Sequence, residues 1–310
     1  MNTRQLHHFV AVMETGSLSA AAEAVHLSLP ALSRSLKALE DELRVSLFDR
    51  SNRRLRPTPY ALEYLERARR IVFDEREGAR ALSLMKDGAY GPLAFGLGSS
   101  IAIDLLAPMI NDLVAKGPKL RVQAQVESTD VLLDSLRREK LDFFIGDVSS
   151  AASSADLLSE PLYKCTYGWF ARQGHPLATK KNITIDELEN YPIIGSGYIS
   201  DTLAFNISQL YGWKLPLEKN FSVNINNLET IQKLLSLSNM VSPSTYNAML
   251  QPLNSGTVVA LDVNPKLNLD MTLGIVRLGL RTLVPSTEQA FEIIRNYFLK
   301  IDKELSSYIL

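Results

Sequence analysis

Between Pro59 and Lys86 the chain runs for about 28 residues with no internal proline, and Gly78 is its one weak helix former. Such a stretch reads as a single α-helix, which at 1.5 Å per residue spans roughly 40 Å. Within it Ala61, Leu65, Ala68, Val72, Glu75, Ala79, Leu82 and Lys86 alternate in steps of four and three. Six of these eight are apolar and half of the six are alanine, so a second helix can approach closely along the seam. Dimerisation is therefore assigned to Ala61, Leu65, Ala68, Val72, Ala79 and Leu82. The alternative is a helix lying on its own domain, for which residues 1–58 offer limited cover. In either case the helix divides the chain in two.

The segment before it is helical. Leu6, Phe9, Val10 and Met13 recur at the spacing of one buried helix face, and Gly16 ends that pattern. A short Ala-rich helix comes next, Leu18 to about Val25, capped by Ser17 or Ser19. The third helix starts at Ser28, a good N-cap, with Pro30 in the first turn, where its missing N–H costs nothing. Leu32, Leu36, Leu39 and Leu43 form its buried stripe, so Ser33, Arg34 and Lys37 point away from it. Two β-prone pieces, Ser46–Phe48 and Leu55–Pro57, flank the basic turn holding Arg50, Arg53 and Arg54.

Past the long helix the texture of the chain changes. Asp87, Gly88, Gly91 and Pro92 mark a hinge. Beyond it LAFGL, LRVQAQVE and LDFFIGD read as strands separated by helices over Ile101–Val114 and Thr129–Arg138. That β-α-β-α-β order implies a parallel sheet covered by helices. A second set runs from about Tyr163 to Val263, with CTYGWFA, PIIGSG, NFSVNI and a helix over Leu228–Leu237. MTLGIVRL and a helix over Thr287–Leu299 close the chain.

Composition narrows the function classes. A 46% hydrophobic and 22% charged chain of 310 residues is globular. No stretch approaches the roughly 18 apolar residues of a membrane span, and the charged N-terminus does not read as a signal peptide, so a cytoplasmic location is expected. The single cysteine, Cys165, excludes an internal disulfide and a Cys-based zinc finger. It reads as a small buried hydrophobe, with a redox-sensing thiol as the alternative. No GxGxxG, P-loop or GxSxG elbow is present, and no metal or cofactor is expected. His175, in QGHPLA, reads as a loop residue, and His7 and His8 as facing solvent or phosphate. Net charge is −1, but residues 1–60 carry eight Lys/Arg against six acids. A polyanion responds to such a local basic face rather than to the total. Helix, sharp turn and helix with a polar, basic outer face is the helix-turn-helix arrangement, with Arg50–Arg54 as a basic wing.

The run FVAVMETGSLSAAAEAVHLSLPALSRSLKALEDELRVSLFDRSNRRLRPTP resembles the winged helix-turn-helix of LysR-type transcriptional regulators. Phe9, Ala21, Ala22, Ser28, Pro30-Ala31-Leu32-Ser33, Leu39-Glu40, Leu43, Leu47-Phe48, Arg50 and Thr58 fall at the family's spacings. The long helix, hinge and two α/β subdomains match as well. Three residues depart: Leu29 stands where a polar residue is usual, and Arg44 and Tyr60 replace usual glycines. The resemblance implies an α+β multidomain chain with a winged helix-turn-helix over residues 1–58 and a linker helix over 59–86. A hinge at 87–92 would lead to a periplasmic-binding-protein-like effector domain. Its subdomain I would comprise 93–162 with 266–310, and subdomain II 163–265.

Ser28, Leu29, Pro30, Ser33, Arg34, Lys37, Arg50, Arg53 and Arg54 would then contact DNA. A small polar or anionic effector would lie between the subdomains, against Ser99, Ser100, Ser128, Thr129, Ser196, Tyr198 and Asn226. Plain N-capping also accounts for those residue types. The implied partners are double-stranded DNA with an interrupted inverted repeat, RNA polymerase, and further copies of the chain as homodimer or homotetramer. The location would be cytoplasmic and nucleoid-associated. The other class considered, a solute-binding or metabolic α/β protein with a helical head, would need a leader or a catalytic constellation.

Overall fold

The computed structural model describes residues 2–49, 55–87, 92–117, 120–151, 154, 156–196, 199, 201–269 and 271–308. The hinge glycines Gly88 and Gly91 lie outside them. The chain divides into two compact units, Met1–Asp87 and Gly88–Leu310.

The first unit holds α1 (Thr3–Thr15), α2 (Leu18–Ala24), α3 (Leu29–Leu43), β1 (Phe48–Asp49), β2 (Arg56–Pro57) and α4 (Pro59–Asp87). Local chemistry sets the boundaries. Asn2 and Gln5 cap α1 reciprocally, each side chain accepting the other's backbone N–H at 2.9 Å. Gly16 ends α1 in the left-handed region, φ 66°, and Ser17 caps α2. Arg44 ends α3 at φ 58°, ψ 28°, the conformation that favours glycine, so the turn keeps its left-handed geometry despite the bulkier residue. Glu40 accepts from the backbone N–H of Leu47 at 2.7 Å and of Phe48 at 3.0 Å, tying α3 to the β1–β2 ribbon.

The core of this unit gathers Leu6, Phe9, Val12, Ala21, Ala22, Leu32, Leu36, Leu39, Leu47 and Phe48. It also contains Ala61, Ala68 and Val72 of α4, which corrects the seam read from the heptad steps. Those three small residues let α1 approach α4, and Leu65 packs half-buried on the same core. Thr3 and His7 of α1 both reach Glu75. The head thus covers α4 as far as its middle, leaving Ala79 and Leu82 exposed.

The second unit begins with β3 (Leu93–Leu97), α5 (Ser99–Lys116), β4 (Val122–Val126), α6 (Thr129–Arg137), β5 (Phe143–Asp147) and β6 (Leu157–Lys164). It continues with β7 (Tyr167–Arg172), α7 (Ile185–Leu188), β8 (Ile194–Ser196), α8 (Asp201–Tyr211), β9 (Val223–Ile225) and α9 (Leu228–Leu237). β10 (Ser242–Thr245), α10 (Leu250–Asn254), β11 (Val258–Leu261), β12 (Thr272–Leu278) and α11 (Pro285–Leu305) complete it.

One five-stranded sheet has the order β4-β3-β5-β12-β6. β3 is parallel to β4 and β5, as the β-α-β-α-β order requires, while β12 runs antiparallel to β5 and β6. β6 had no clear sequence signal. Its Tyr163 and Lys164 pair with Leu273 and Thr272, so subdomain I extends two residues past 162. Conversely, Leu267 and Leu269 lie in the core of subdomain II with Trp169 and Trp213. The chain therefore returns to the first sheet at Met271–Thr272 rather than at 266. Subdomain II is built from β10-β7-β11 and the parallel pair β8-β9. Asp142 binds subdomain I together: its carboxylate accepts from Ala94 N at 2.9 Å and from Arg281 Nη2 at 3.0 Å, with both side chains buried.

Candidate nucleic-acid interface and effector cleft

In the first unit, α3 buries Leu32, Leu36 and Leu39 completely. At about 100° per residue, Pro30, Arg34 and Lys37 lie roughly 140–160° from Leu32 and Ser33 lies on the flank, whereas Leu29, one turn before Leu32, is on the stripe's own side at the start of the helix. Leu29, Pro30, Arg34 and Lys37 are exposed and Ser33 is half-buried. Ser28 is the N-cap, as its position suggested, but its side chain makes no capping hydrogen bond. Its hydroxyl and Leu29, 46% exposed, therefore lead the helix into solvent. An α-helix presented by its first turns, with two cations behind, fits the B-DNA major groove. Arg50, Arg53 and Arg54 of the wing lie outside the described residues.

The histidines of α1 do other work than sequence suggested. His8 is buried and its Nδ1 lies 2.7 Å from Ser35 Oγ, so it locks α1 to the inner side of α3. Burial, then the nearby His7 and Arg4 charges, hold its imidazole below the ordinary range. His7 contacts Glu75 at 2.9 Å and Arg76 at 3.3 Å. His175 is likewise buried: Leu177 N donates to its Nδ1 at 3.1 Å, its Nε2 contacts Asn239 O at 3.2 Å, and Tyr191 packs against its ring. It is a loop residue between β7 and α7, as the sequence suggests, but a buried one. Cys165 is buried at the crossing from β6 to β7, where its N–H donates to Met271 O at 2.9 Å, and burial pushes its thiol well up. Among the described residues no group of His, Cys, Asp and Glu could hold a metal ion.

In the second unit the carboxyl ends of β3, β4 and β5 are tied together. Gly98 N donates to Ile145 O at 3.0 Å and Glu127 N to Leu97 O at 3.1 Å. Gly98 is the N-cap of α5, which puts Ser99 and Ser100 in its first turn rather than at the cap. First-turn N–H groups have no helical acceptor and point outward, where an anion is favoured. Ser128 caps α6 by position, with no side-chain hydrogen bond of its own. Next to it, Thr129 Oγ1 stands 3.2 Å from where a Cβ on Gly146 would be, so a larger residue there would crowd the hydroxyl. Ser99, Ser100, Ser128 and Thr129 are thus gathered along one sheet end.

Subdomain II contributes Ser196, at the end of β8, paired in register with Ile225, and the exposed Asn226 next in the chain. Ser196 and Asn226 share the end of that parallel pair. Asn227, by contrast, is occupied as a cap, accepting from Thr230 N at 2.8 Å. Tyr198 lies outside the described residues. One residue that sequence reasoning missed crosses the divide: Asn247 Nδ2 donates to Ser100 O at 3.4 Å. A lone Asn after a short strand carries no local signal for that role.

Comparison with known proteins agrees with this division. Residues 3–62 match the family described as bacterial regulatory helix-turn-helix protein, lysR family, and residues 86–299 match the LysR substrate binding domain. A Pseudomonas protein named "SDS degradation transcriptional activation protein" is 30% identical over 92% of this chain and 92% of its own. Among solved structures, a full-length OxyR variant from Pseudomonas aeruginosa has a TM-score of 0.57 at 23% identity, covering 96% of this chain and 94% of that one. Full-length BenM has a TM-score of 0.53 at 20% identity, covering 97% and 98%. At these identities the structural likeness concerns the fold.

Proposed function

The chain belongs to the LysR family of bacterial regulatory helix-turn-helix proteins, and from that premise we propose which of its residues read DNA and which receive the effector. It is a DNA-binding transcriptional regulator with an effector-binding domain, from a family of regulators rather than enzymes. In our reading Ser28, Leu29, Pro30, Ser33, Arg34 and Lys37 enter the major groove, while Arg50, Arg53 and Arg54 hold phosphates beside it. The observation that carries this is the division of α3 into a fully buried leucine stripe and an exposed arc bearing Arg34 and Lys37. Two copies joined through the exposed half of α4, at Ala79 and Leu82, would place two heads on an interrupted inverted repeat. Contact with RNA polymerase, tetramer formation and a cytoplasmic, nucleoid-associated location belong to the same proposal.

Ser99, Ser100, Ser128, Thr129, Ser196, Tyr198 and Asn226 would face a small polar or anionic effector between the subdomains. An effector regulates only by binding two arrangements with different affinity. The test is fluorescence anisotropy of the full chain on the DNA beside its own coding region, with competitor and at several salt concentrations. Three phosphate-holding arginines per head predict a log–log salt slope of about −5 for two heads. Ser100→Leu should remove the effector response and leave basal DNA affinity unchanged. Binding that competitor abolishes would overturn the DNA reading; collapse of DNA binding in Ser100→Leu would make Ser100 a structural residue.

A further inference from the structure

The turn Asn247–Met249 and α10 are continuous, without a break. Asn247, Gln251 and Asn254 are spaced i, i+4, i+7 and so share one face of this segment. Its other side chains, Met249 and Leu253, are buried in the core of subdomain II with Phe170 and Ile231. All three amides reach subdomain I. Asn247 Nδ2 donates to Ser100 O at 3.4 Å, Gln251 Nε2 donates to the Asp104 carboxylate, and Asn254 Oδ1 accepts from Tyr308 OH at 2.8 Å. Ser100 and Asp104 are themselves one turn apart on α5, so two helical turns face each other in register.

We propose that Asn247, Gln251 and Asn254 form a clasp that holds subdomain II against α5 and the end of α11, and that effector binding works against or with this clasp. The chemistry suits a contact that parts and re-forms. Asn247 is 1% exposed, yet its Oδ1 has no hydrogen-bond partner among the described residues. A permanent interface would do better with an apolar side chain there, because an unsatisfied buried carbonyl is costly. The Asn247 and Asn254 bonds join neutral groups and each contribute only modestly, while the Gln251 bond to the half-buried Asp104 carboxylate is the stronger of the three. The clasp begins at Ser100, so a ligand seated on the first turn of α5 acts directly on its first bond. That regulatory consequence rests on the proposed effector cleft.

The test is a distance measurement within the full chain. Nitroxide labels at Leu158→Cys in subdomain I and Leu237→Cys in subdomain II, both exposed sites, are introduced in a Cys165→Ser background. Labelled chain is diluted into unlabelled chain, so that electron–electron resonance reads the intramolecular distance. The intact clasp should give one narrow distribution. Gln251→Leu should lower the closed-to-open ratio a few-fold and broaden it. Asn247→Ala, Gln251→Leu and Asn254→Ala together should shift it further, while Asp104→Asn, which keeps an acceptor, should remain narrow. Gln251 is exposed, so that single variant decides the matter if the triple variant does not fold. Distributions identical to that of the intact clasp would overturn the clasp. A shifted distribution with DNA affinity and salt slope unchanged would overturn only its regulatory role.

Discussion

Ala68→Glu separates two accounts of α4. The heptad steps place Ala68 in a seam between two chains, whereas the structure places it at 0% exposure in the core of its own head, with Phe9, Leu36 and Leu65 in the same cluster. A glutamate there must overpack the site, at about 1–3 kcal/mol, and bury an uncompensated carboxylate, at several kcal/mol more. The total is about 5 kcal/mol. A unit the size of Met1–Asp87 is worth roughly 4–13 kcal/mol at 0.05–0.15 kcal/mol per residue, so the head should lose from about two-fifths to all of its stability. The two tryptophans, Trp169 and Trp213, are both buried in the second unit, which makes the assay selective. In urea, far-UV circular dichroism should lose part of its amplitude early, while the tryptophan transition stays in place. Ala79→Glu and Leu82→Glu, on exposed positions, should leave both transitions within about 0.5 kcal/mol and lower the sedimentation coefficient. If Ala68→Glu instead left the early transition untouched and only reduced self-association, the packing of α1 on α4 would be wrong.

Leu29 has no hydrogen-bonding group on its side chain but can pack on a thymine methyl, so Leu29→Ala should relax preference at one base pair and leave the salt slope unchanged. Leu29→Gln should move that preference toward adenine, and equal weakening on every single-base operator variant would place Leu29 outside the reading surface. Arg44→Gly removes a Cβ from a left-handed residue and should raise head stability by up to about 1 kcal/mol in urea titrations; a loss would show that the arginine side chain makes a compensating contact. His8, held below its usual value of 6.5 by burial, binds its proton less readily folded than unfolded. The unfolded chain therefore takes up the proton first, and head stability should fall as pH drops below 6.5. His8→Asn should flatten that slope, and an unchanged slope would remove His8 as its source.

The helices of the first unit, the turn between α2 and α3, the parallel β-α-β-α-β unit and the class of function were legible in the residues themselves, whereas α7, α8 and α10 were not and α11 runs six residues past Leu299. The causes of the legible features are local: the 3.6-residue recurrence of Leu32, Leu36 and Leu39, the cap at Ser17, the glycine at Gly16, and the run of family-spaced residues from Phe9 to Thr58. Ser99, Ser100, Ser128 and Thr129 were legible for the same reason, since hydroxyl residues after a strand mark helix starts. What covers a surface is not local. Whether Ala61, Ala68 and Val72 face another chain or their own α1 depends on residues some 50 to 65 positions earlier, and small size suits both. His8 shows no pattern that would turn it toward Ser35, and His175 none that would bury it. β6 was invisible because an edge strand with alternating exposed positions and a proline resembles a loop until β12 pairs with it. Asn247 is the clearest case: its neighbours in sequence specify only a turn, and its meaning comes entirely from Ser100, 147 positions away, brought within 3.4 Å by the packing of two subdomains.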